Sequence, residues 1–376
     1  MKRIHIATIL IPAFLLLATA CSRDAVPGGV AGGAPIAGFF LLNEGDIGQD
    51  NSSLDYYDYT AGIYFKSIHQ ELLSTADENL GEGGNDLQCY GSRLYVVLSG
   101  LGRVMVTDLV ARQFIGQIQI PNCRYIVFQD GYAYVSSYAE STYTGDDNAR
   151  GYVAKIDLES LRIVATCEVG YQPEEMVITN GKLYVANSGI YQMPDYEHTV
   201  SVIDLASFEE IMKIDVAPNL HRMELDAYGK IWVSSRGDYY DIQPMVFVID
   251  TQTDFVVQSF NLLPCSDMTL CGDSLYVLNN SWNAFTQKNT VSYAIVDVST
   301  RQIVSRQLIK DGTEASIQNP HGIAVNPQTH EFCIADAGSG DTPGNLYYYS
   351  AEGRLKWRNN AGRIPSRIAF TTIHPI

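Results

Sequence analysis

The 376-residue chain is short of charge, and of positive charge above all. Only 18% of its residues are Asp, Glu, Lys or Arg, and 42 acids stand against 25 bases, for a formal charge of −17. A protein that tracks a phosphate backbone needs clustered cations, so a nucleic-acid scaffold is excluded. Motifs of the common chemistries are missing too: there is no G-x-S-x-G elbow, no P-loop, no HExxH and no dinucleotide glycine fingerprint. Past the first 20 residues no stretch is long and apolar enough to cross a membrane as a helix. No segment holds a 3.6-residue apolar period over three turns, so negligible helix is expected.

Cysteine is sparse and lacks metal spacing. After Cys21 come Cys89, Cys123, Cys167, Cys265, Cys271 and Cys333, none in a CxxC pair and none with His in zinc-ligand order. Cys265 and Cys271 flank what reads as one strand, which would set their Cα atoms roughly 20 Å apart, beyond disulfide reach. Most of the six are read as small buried hydrophobes rather than a disulfide framework. What is present in quantity is 24 Tyr, 31 Gly and 14 Pro, a composition of strands and turns, with 46% apolar residues to build a core and argue against disorder.

Residues 1–20 read as an address. Met1-Lys2-Arg3 is a basic start, Ile4 to Leu17 an apolar run, and Ala18-Thr19-Ala20 small residues leading to Cys21. The last four resemble a bacterial lipoprotein cleavage box, which implies that Cys21 becomes the acylated first residue and carries the lipid anchor. Loss of Lys2 and Arg3 takes the side-chain charge from −17 to −17 − 2 = −19. Residues 21–36 then form a flexible Gly/Ala/Pro tether, leaving 37–373 as the folded unit.

A repeat runs through that unit. A turn followed by an alternating strand recurs at Arg93-Leu94-Tyr95-Val96, Tyr132-Ala133-Tyr134-Val135, Lys182-Leu183-Tyr184-Val185, Lys230-Ile231-Trp232-Val233, Ser274-Leu275-Tyr276-Val277 and Phe332-Cys333-Ile334. Each of the first five is followed by an apolar strand closed by an acidic turn. The aspartates at 108, 157, 204, 250 and 297 are 49, 47, 46 and 47 residues apart. An Asp side chain can accept backbone N–H groups two residues on, so these are read as turn formers rather than metal ligands. With one more short strand before each Leu-Tyr-Val segment, the unit is four strands in about 47 residues, the size of a β-propeller blade. Six units are complete. A seventh begins at Gly38 without its innermost strand, which the C-terminal Pro365-Ser366-Arg367-Ile368-Ala369-Phe370 supplies. The fold class is therefore all-β: a seven-bladed β-propeller of four antiparallel strands per blade, its ring closed by pairing of the N- and C-terminal strands.

In such a ring, the loops entering the innermost strands and those joining second to third strands converge on one face. The entering loops carry Asn85, Arg124, His221, His321 and Arg367, together with Arg222. The second set is long, at 136–150, 187–198, 234–244, 279–289 and 336–343, and holds Asn187, Arg236, Asn280, Tyr138, Tyr143, Tyr191, Tyr196, Tyr239, Tyr240, Trp282 and Phe285. Aromatic rings among Asn, Ser and Gly suit a large ligand with flat apolar parts and amide groups, and a corrinoid and an oligosaccharide both answer that description. The candidate ligand-binding set is Asn85, Arg124, Tyr138, Asn187, His221, Arg236, Asn280, Trp282, His321 and Arg367. An inward Arg can bind a phosphodiester bidentately or pair with carboxylates of neighbouring blades, and both readings stand at this point. Neither His221 nor His321 has a second ligand beside it, so no metal site is assigned. A glycosidase or lyase drawing carboxylates from separate blades, with Glu44, Asp86, Glu174 and Asp336 near loop ends, is the enzymatic alternative.

The run Leu80-Gly81-Glu82-Gly83-Gly84-Asn85-Asp86 before Tyr90-Gly91-Ser92-Arg93-Leu94-Tyr95-Val96-Val97 resembles the YncE-type propeller lipoproteins of Bacteroidetes. So does the C-terminal passage from Ala335-Asp336-Ala337 to Ala361-Gly362-Arg363-Ile364-Pro365. The likeness covers nearly all of the chain from Gly38. Within that family it is greatest to the surface cobalamin-binding propellers called BtuG. It implies a non-enzymatic, lipid-anchored protein on the outer membrane, facing the cell exterior. Such a protein binds cobalamin or a related corrinoid as a transported ligand, needs no cofactor, and passes the ligand to a TonB-dependent outer-membrane receptor. A surface glycan-binding propeller partnered with a carbohydrate transporter is the second reading.

Overall fold

The computed structural model describes residues 33–72, 80–139, 149–283 and 288–376; Cys21 and the tether up to residue 32 lie outside them. Seven four-stranded antiparallel sheets are arranged as a ring. Blades 1 to 6 occupy 84–119, 123–168, 173–215, 220–260, 267–305 and 320–360. Blade 7 is composite, with Pro365–Thr371 innermost, followed by Gly38–Asn43, Ser53–Asp58 and Ile63–Phe65. Its closing register pairs Phe39 with Phe370 and Leu41 with Ile368. Among the described residues helix is confined to one turn at His69–Leu72 and a 3-10 turn at Thr313–Ser316.

The burial pattern explains the strand sequences. Second strands lie between neighbouring blades and are covered on both faces, so Arg93–Leu98 and Lys182–Asn187 read as almost unbroken apolar runs. Outermost strands alternate, as in Gln113–Gln119, whose exposed positions switch residue by residue with half-buried or buried ones. Seven apolar clusters fill the seven interfaces between blades, for example Tyr95, Val97 and Val104 of blade 1 against Ile126, Val135 and Ile156 of blade 2. The five repeated aspartates fold the outer hairpins. Asp108 Oδ1 accepts N–H of Val110 (2.9 Å) and Ala111 (2.8 Å), and Asp204 Oδ1 those of Ala206 (3.1 Å) and Ser207 (2.8 Å). All six cysteines among the described residues are free thiols, and five are buried. Burial lifts the Cys89 and Cys123 thiols to about 12, which keeps them protonated.

The ring differs from the sequence expectation at one loop. The segment expected as a loop from 279 is an extension of a hairpin, with Ser274–Asn283 paired to Lys288–Asp297. Thr290, Val291 and Ser292 keep the ladder going opposite Ser281, Asn280 and Asn279, and Asn279 Nδ2 donates to Thr290 O at 2.9 Å. The polar Asn-Asn-Ser run is therefore strand, not turn.

Candidate functional site

The innermost strands begin with a repeated defect. In blades 1, 2, 3, 4, 6 and 7 the first strand carries one residue more than the second at its start, between Gly84 and Asp86, Cys123 and Ile126, Pro173 and Met176, Leu220 and Met223, Pro320 and Gly322, and Pro365 and Arg367. A β-bulge of this kind re-aims side chains. The residues it releases are Asn85, Arg124, Tyr125, Glu174, Glu175, His221, Arg222 and His321, which include most of the ionisable groups at the mouth of the channel. The freed N–H groups are taken up by serines at the ends of second strands: Tyr125 N–H donates to Ser136 Oγ (3.1 Å) and Arg222 N–H to Ser234 Oγ (3.0 Å).

Two charged groups form there. Arg222 Nη1 lies 2.9 Å from Glu175 Oε1 and its Nε 2.9 Å from Asp267 Oδ1. Arg367 pairs with Glu175 and stands 3.6 Å from both Asp86 and Asp267. The same carboxylates tie neighbouring inner strands, because Asp86 accepts Ile126 N–H (3.0 Å), Glu175 accepts Met223 N–H (2.8 Å) and Asp267 accepts Ile323 N–H (2.9 Å). In the second group Glu174, 1% exposed, receives Tyr138 O–H at 2.7 Å and Arg236 Nη1 at 3.2 Å, with Arg124 Nε 3.6 Å away. The Arg124 guanidinium lies over the Tyr138 ring at 4.7 Å.

Between the groups sits His221, 7% exposed. Its Nε2 is 3.0 Å from Tyr125 Oη, and that oxygen also accepts from Arg222 Nη1 at 3.0 Å. Nε2 is the acceptor within reach of the Tyr125 hydroxyl, and the tautomer that accepts it carries its ring proton on Nδ1. Burial, followed by the fields of Arg236, Arg222, Arg367 and Arg124, pushes the imidazole well below its ordinary value, so the ring is neutral. Burial opposes charge on Glu174 and Glu175 as well, but their arginines hold both below the usual carboxylate range. Asp86 and Asp267 are pushed up, mainly by burial.

Above this floor opens a cavity of about 1250 Å³. Six of the seven blades line it, from Glu44 to Ile47 in blade 7 round to Pro320 and His321 in blade 6. The floor presents Arg124, Tyr125, His221, Arg222 and Arg236, while the carboxylates Asp86, Glu174, Glu175 and Asp267 stay behind it. The rim sets exposed apolar side chains, Ile47 (71%), Tyr239 (55%), Tyr240 (70%) and Leu262 (78%), among the acids Glu44, Asp46 and Asp241. Asp238 Oδ1 accepts N–H of Tyr240 (2.9 Å) and Ile242 (2.8 Å), a turn that holds the two tyrosines out.

Of the residues singled out in the sequence, Asn85, Arg124, His221, Arg236, Asn280 and His321 line this cavity. Asn280 Nδ2 donates to Asn319 Oδ1 (2.7 Å) and Pro320 O (3.1 Å), and Asn85 Nδ2 donates to Arg124 O. Arg367 lies deeper, among the carboxylates of Glu175, Asp86 and Asp267, and Tyr138 is buried behind Arg124. Asn187 is turned into its own blade, where Nδ2 donates to Ser201 Oγ (2.8 Å) and Thr199 Oγ1 (3.1 Å). It does not face the cavity. The side chain of Trp282, and Tyr143 and Phe285, lie outside the described residues. Tyr125, Glu175 and Asp267 were not anticipated. Tyr125 and Glu175 each follow a residue already singled out, and the one-residue bulge is what turns both members of the pair inward. Among the described residues no group of three or more His, Cys, Asp or Glu is placed to hold a metal ion.

Fold and site together define a seven-bladed propeller with one loop-face cavity over a charged channel floor. The chain belongs to the family described as a domain of unknown function, DUF5074, which residues 37–360 match. No curated protein matches. Among solved structures it is similar to the periplasmic gluconolactonase PpgL of Pseudomonas aeruginosa, at 14% identity and a TM-score of 0.61 over 89% of this chain and 99% of that one. It is also similar to Kuenenia stuttgartiensis hydrazine synthase, at 15% identity and a TM-score of 0.60 over 76% of this chain and 88% of that one. A quinonprotein alcohol dehydrogenase-like protein of Bacteroides thetaiotaomicron gives 15% identity and a TM-score of 0.56 over 89% and 78%. At these identities the likeness is one of fold.

Proposed function

We propose that this is a capture protein that holds a large nutrient molecule in the loop-face cavity, with cobalamin or a related corrinoid as the leading ligand. In this reading it is anchored through a lipid on Cys21 at the outer membrane, faces outward, and passes its ligand to a TonB-dependent receptor. The observation that carries the binding half is the cavity. Its volume of about 1250 Å³ exceeds the roughly 300–1,000 Å³ of sites for drug-sized ligands, and it joins apolar side chains at the rim to a hydrogen-bonding floor. The corrinoid half is supported by the resemblance in the Leu80 to Val97 and Ala335 to Pro365 passages.

Binding is favoured over turnover by how the reactive side chains are engaged. His221 is neutral, hydrogen-bonded to a tyrosine and surrounded by arginines, so it lacks the carboxylate partner that would orient a general base. Of the four carboxylates near loop ends, Asp86 accepts Leu87 and Ile126 N–H, Glu174 is sealed under Tyr138, and Asp336 Oδ1 accepts N–H of Gln318, Asn319 and Gly338. Glu44 alone of the four lines the cavity. Titration calorimetry of residues 33–376 with cyanocobalamin tests the proposal. Saturable heat and a coloured complex are expected; no heat at micromolar protein overturns the corrinoid assignment. The exposed Tyr239 and Tyr240 favour a glycan as second reading, and an oligosaccharide panel run in the same way distinguishes it.

A further inference from the structure

The charge on the cavity floor is balanced in number but not in space. On one side Arg222 and Arg367 share three carboxylates, Asp86, Glu175 and Asp267. On the other, Arg124 and Arg236 share Glu174 alone. One guanidinium charge is thus uncompensated beside Glu174, and it faces the opening, because Arg124 and Arg236 line the cavity and Glu174 does not.

Buried donors without a hydrogen bond gather in the same place, although Nε of Arg367 in the other group lacks one as well. Arg236 uses Nη1 for both Glu174 Oε1 (3.2 Å) and Asn219 Oδ1 (3.3 Å), leaving its other nitrogens for something else. Accepting from Arg236 fixes the amide of Asn219, whose buried Nδ2 then has no acceptor. Nδ1 of His221, a donor in the tautomer that accepts the Tyr125 hydroxyl, is likewise buried without a hydrogen-bond partner, and Nε of Arg124 makes no hydrogen bond, Glu174 Oε2 standing 3.6 Å from it. A buried donor left unmatched pays its desolvation cost without return, which an acceptor-rich group would relieve. A group with several acceptor oxygens and a negative charge meets both needs.

We propose that Arg124 and Arg236, with His221 beside them, form a subsite for an oxyanion carried by the ligand, a phosphate ester or a carboxylate. Arg222 and Arg367 are the frame that holds the floor. The subsite rests on the reading that the cavity is the ligand site, and it selects among ligands: a neutral sugar would leave the excess guanidinium unmatched.

The test uses inorganic phosphate and succinate as separate probes, with calorimetry at constant ionic strength set by sodium chloride. Saturable binding of at least one probe is expected, weakened roughly tenfold or more in Arg236→Gln, the scale of a lost charge-assisted contact. If that variant does not fold, Arg236→Lys keeps the charge over Glu174 and should weaken binding severalfold. Preference for phosphate assigns a phosphate ester, and preference for succinate a carboxylate. Absence of saturable binding of either, or equal affinity in the variant, overturns the subsite. The outcome is separable from the corrinoid proposal: phosphate bound without cyanocobalamin removes only the corrinoid. Cyanocobalamin bound equally by wild type and Arg236→Gln, with neither anion bound, removes only the subsite.

Discussion

Replacing Arg222 by Met removes the cation that joins two blades to the floor. The guanidinium is 2.9 Å from both Glu175 and Asp267, donates to Tyr125 Oη at 3.0 Å and to Ser266 O at 3.3 Å, and is 7% exposed. Without it one arginine, Arg367, faces three buried carboxylates. Breaking a buried pair by removing one partner costs about 3–5 kcal/mol, since the remaining charges stay desolvated. The loss should depend on pH. In the wild type, burial would lift the Glu175 carboxyl, but Arg367 and Arg222 hold it below its ordinary 4.5. Taking away Arg222 lets it rise, so the folded variant binds protons at a pH where the unfolded chain does not, and its stability gains on the wild type as pH falls from 7 to 5. Urea unfolding followed by tryptophan fluorescence at both pH values measures this. The expected deficit is about 3–5 kcal/mol at pH 7, smaller at pH 5, and partly restored by adding Glu175→Met. A deficit below about 1 kcal/mol at pH 7, or one that grows on acidification, would refute the buried charged frame.

Four further outcomes are expected. Gly322→Ala should destabilise the ring by about 1–3 kcal/mol, because a Cβ there would stand 1.7 Å from Ser366 O in the next innermost strand; an unchanged melting temperature would contradict that approach. His221, held well below 6.5, should make stability fall as pH drops through about 6.5, where the unfolded chain takes up a proton that the folded one refuses; His221→Asn should flatten this slope in melts from pH 7.5 to 5. Asp58 Oδ1 accepts N–H of Thr60 (2.7 Å) and Ala61 (2.8 Å) and its Oδ2 meets His374 at 3.1 Å, so Asp58→Ala should cost about 1 kcal/mol or more and free the C-terminal residues to faster amide exchange. Tyr240→Ala, at a residue 70% exposed on the rim, should weaken ligand binding while leaving the melting temperature in place, as read by calorimetry and a thermal melt side by side.

The ring was legible in the sequence because its determinants are local. An Asp that folds its own hairpin and a Leu-Tyr-Val strand covered on both faces recur with a fixed period, and phase alone then delivers Arg124, His221 and His321 to one face. Which of those residues are free to meet a ligand was not legible, since it is decided by contacts across the ring. Arg367 is paired with Glu175, 192 positions away, and Arg222 reaches Tyr125, 97 positions away. Nor does composition disclose a single extra residue at the start of a strand, although that bulge is what turns Tyr125 and Glu175 inward.

The net charge of −17 illustrates the same division. Part of it is the repeated Asp at the outer hairpins, such as Asp157, Asp204 and Asp297, whose carboxylates are occupied by backbone N–H groups at the periphery. The floor is the reverse case: the side chains it shows the cavity are three arginines, a tyrosine and a neutral histidine, with every acidic partner behind them. A strongly acidic protein can therefore present a basic contact at the one place where its ligand would sit, and total charge is a poor guide to the sign of what it binds.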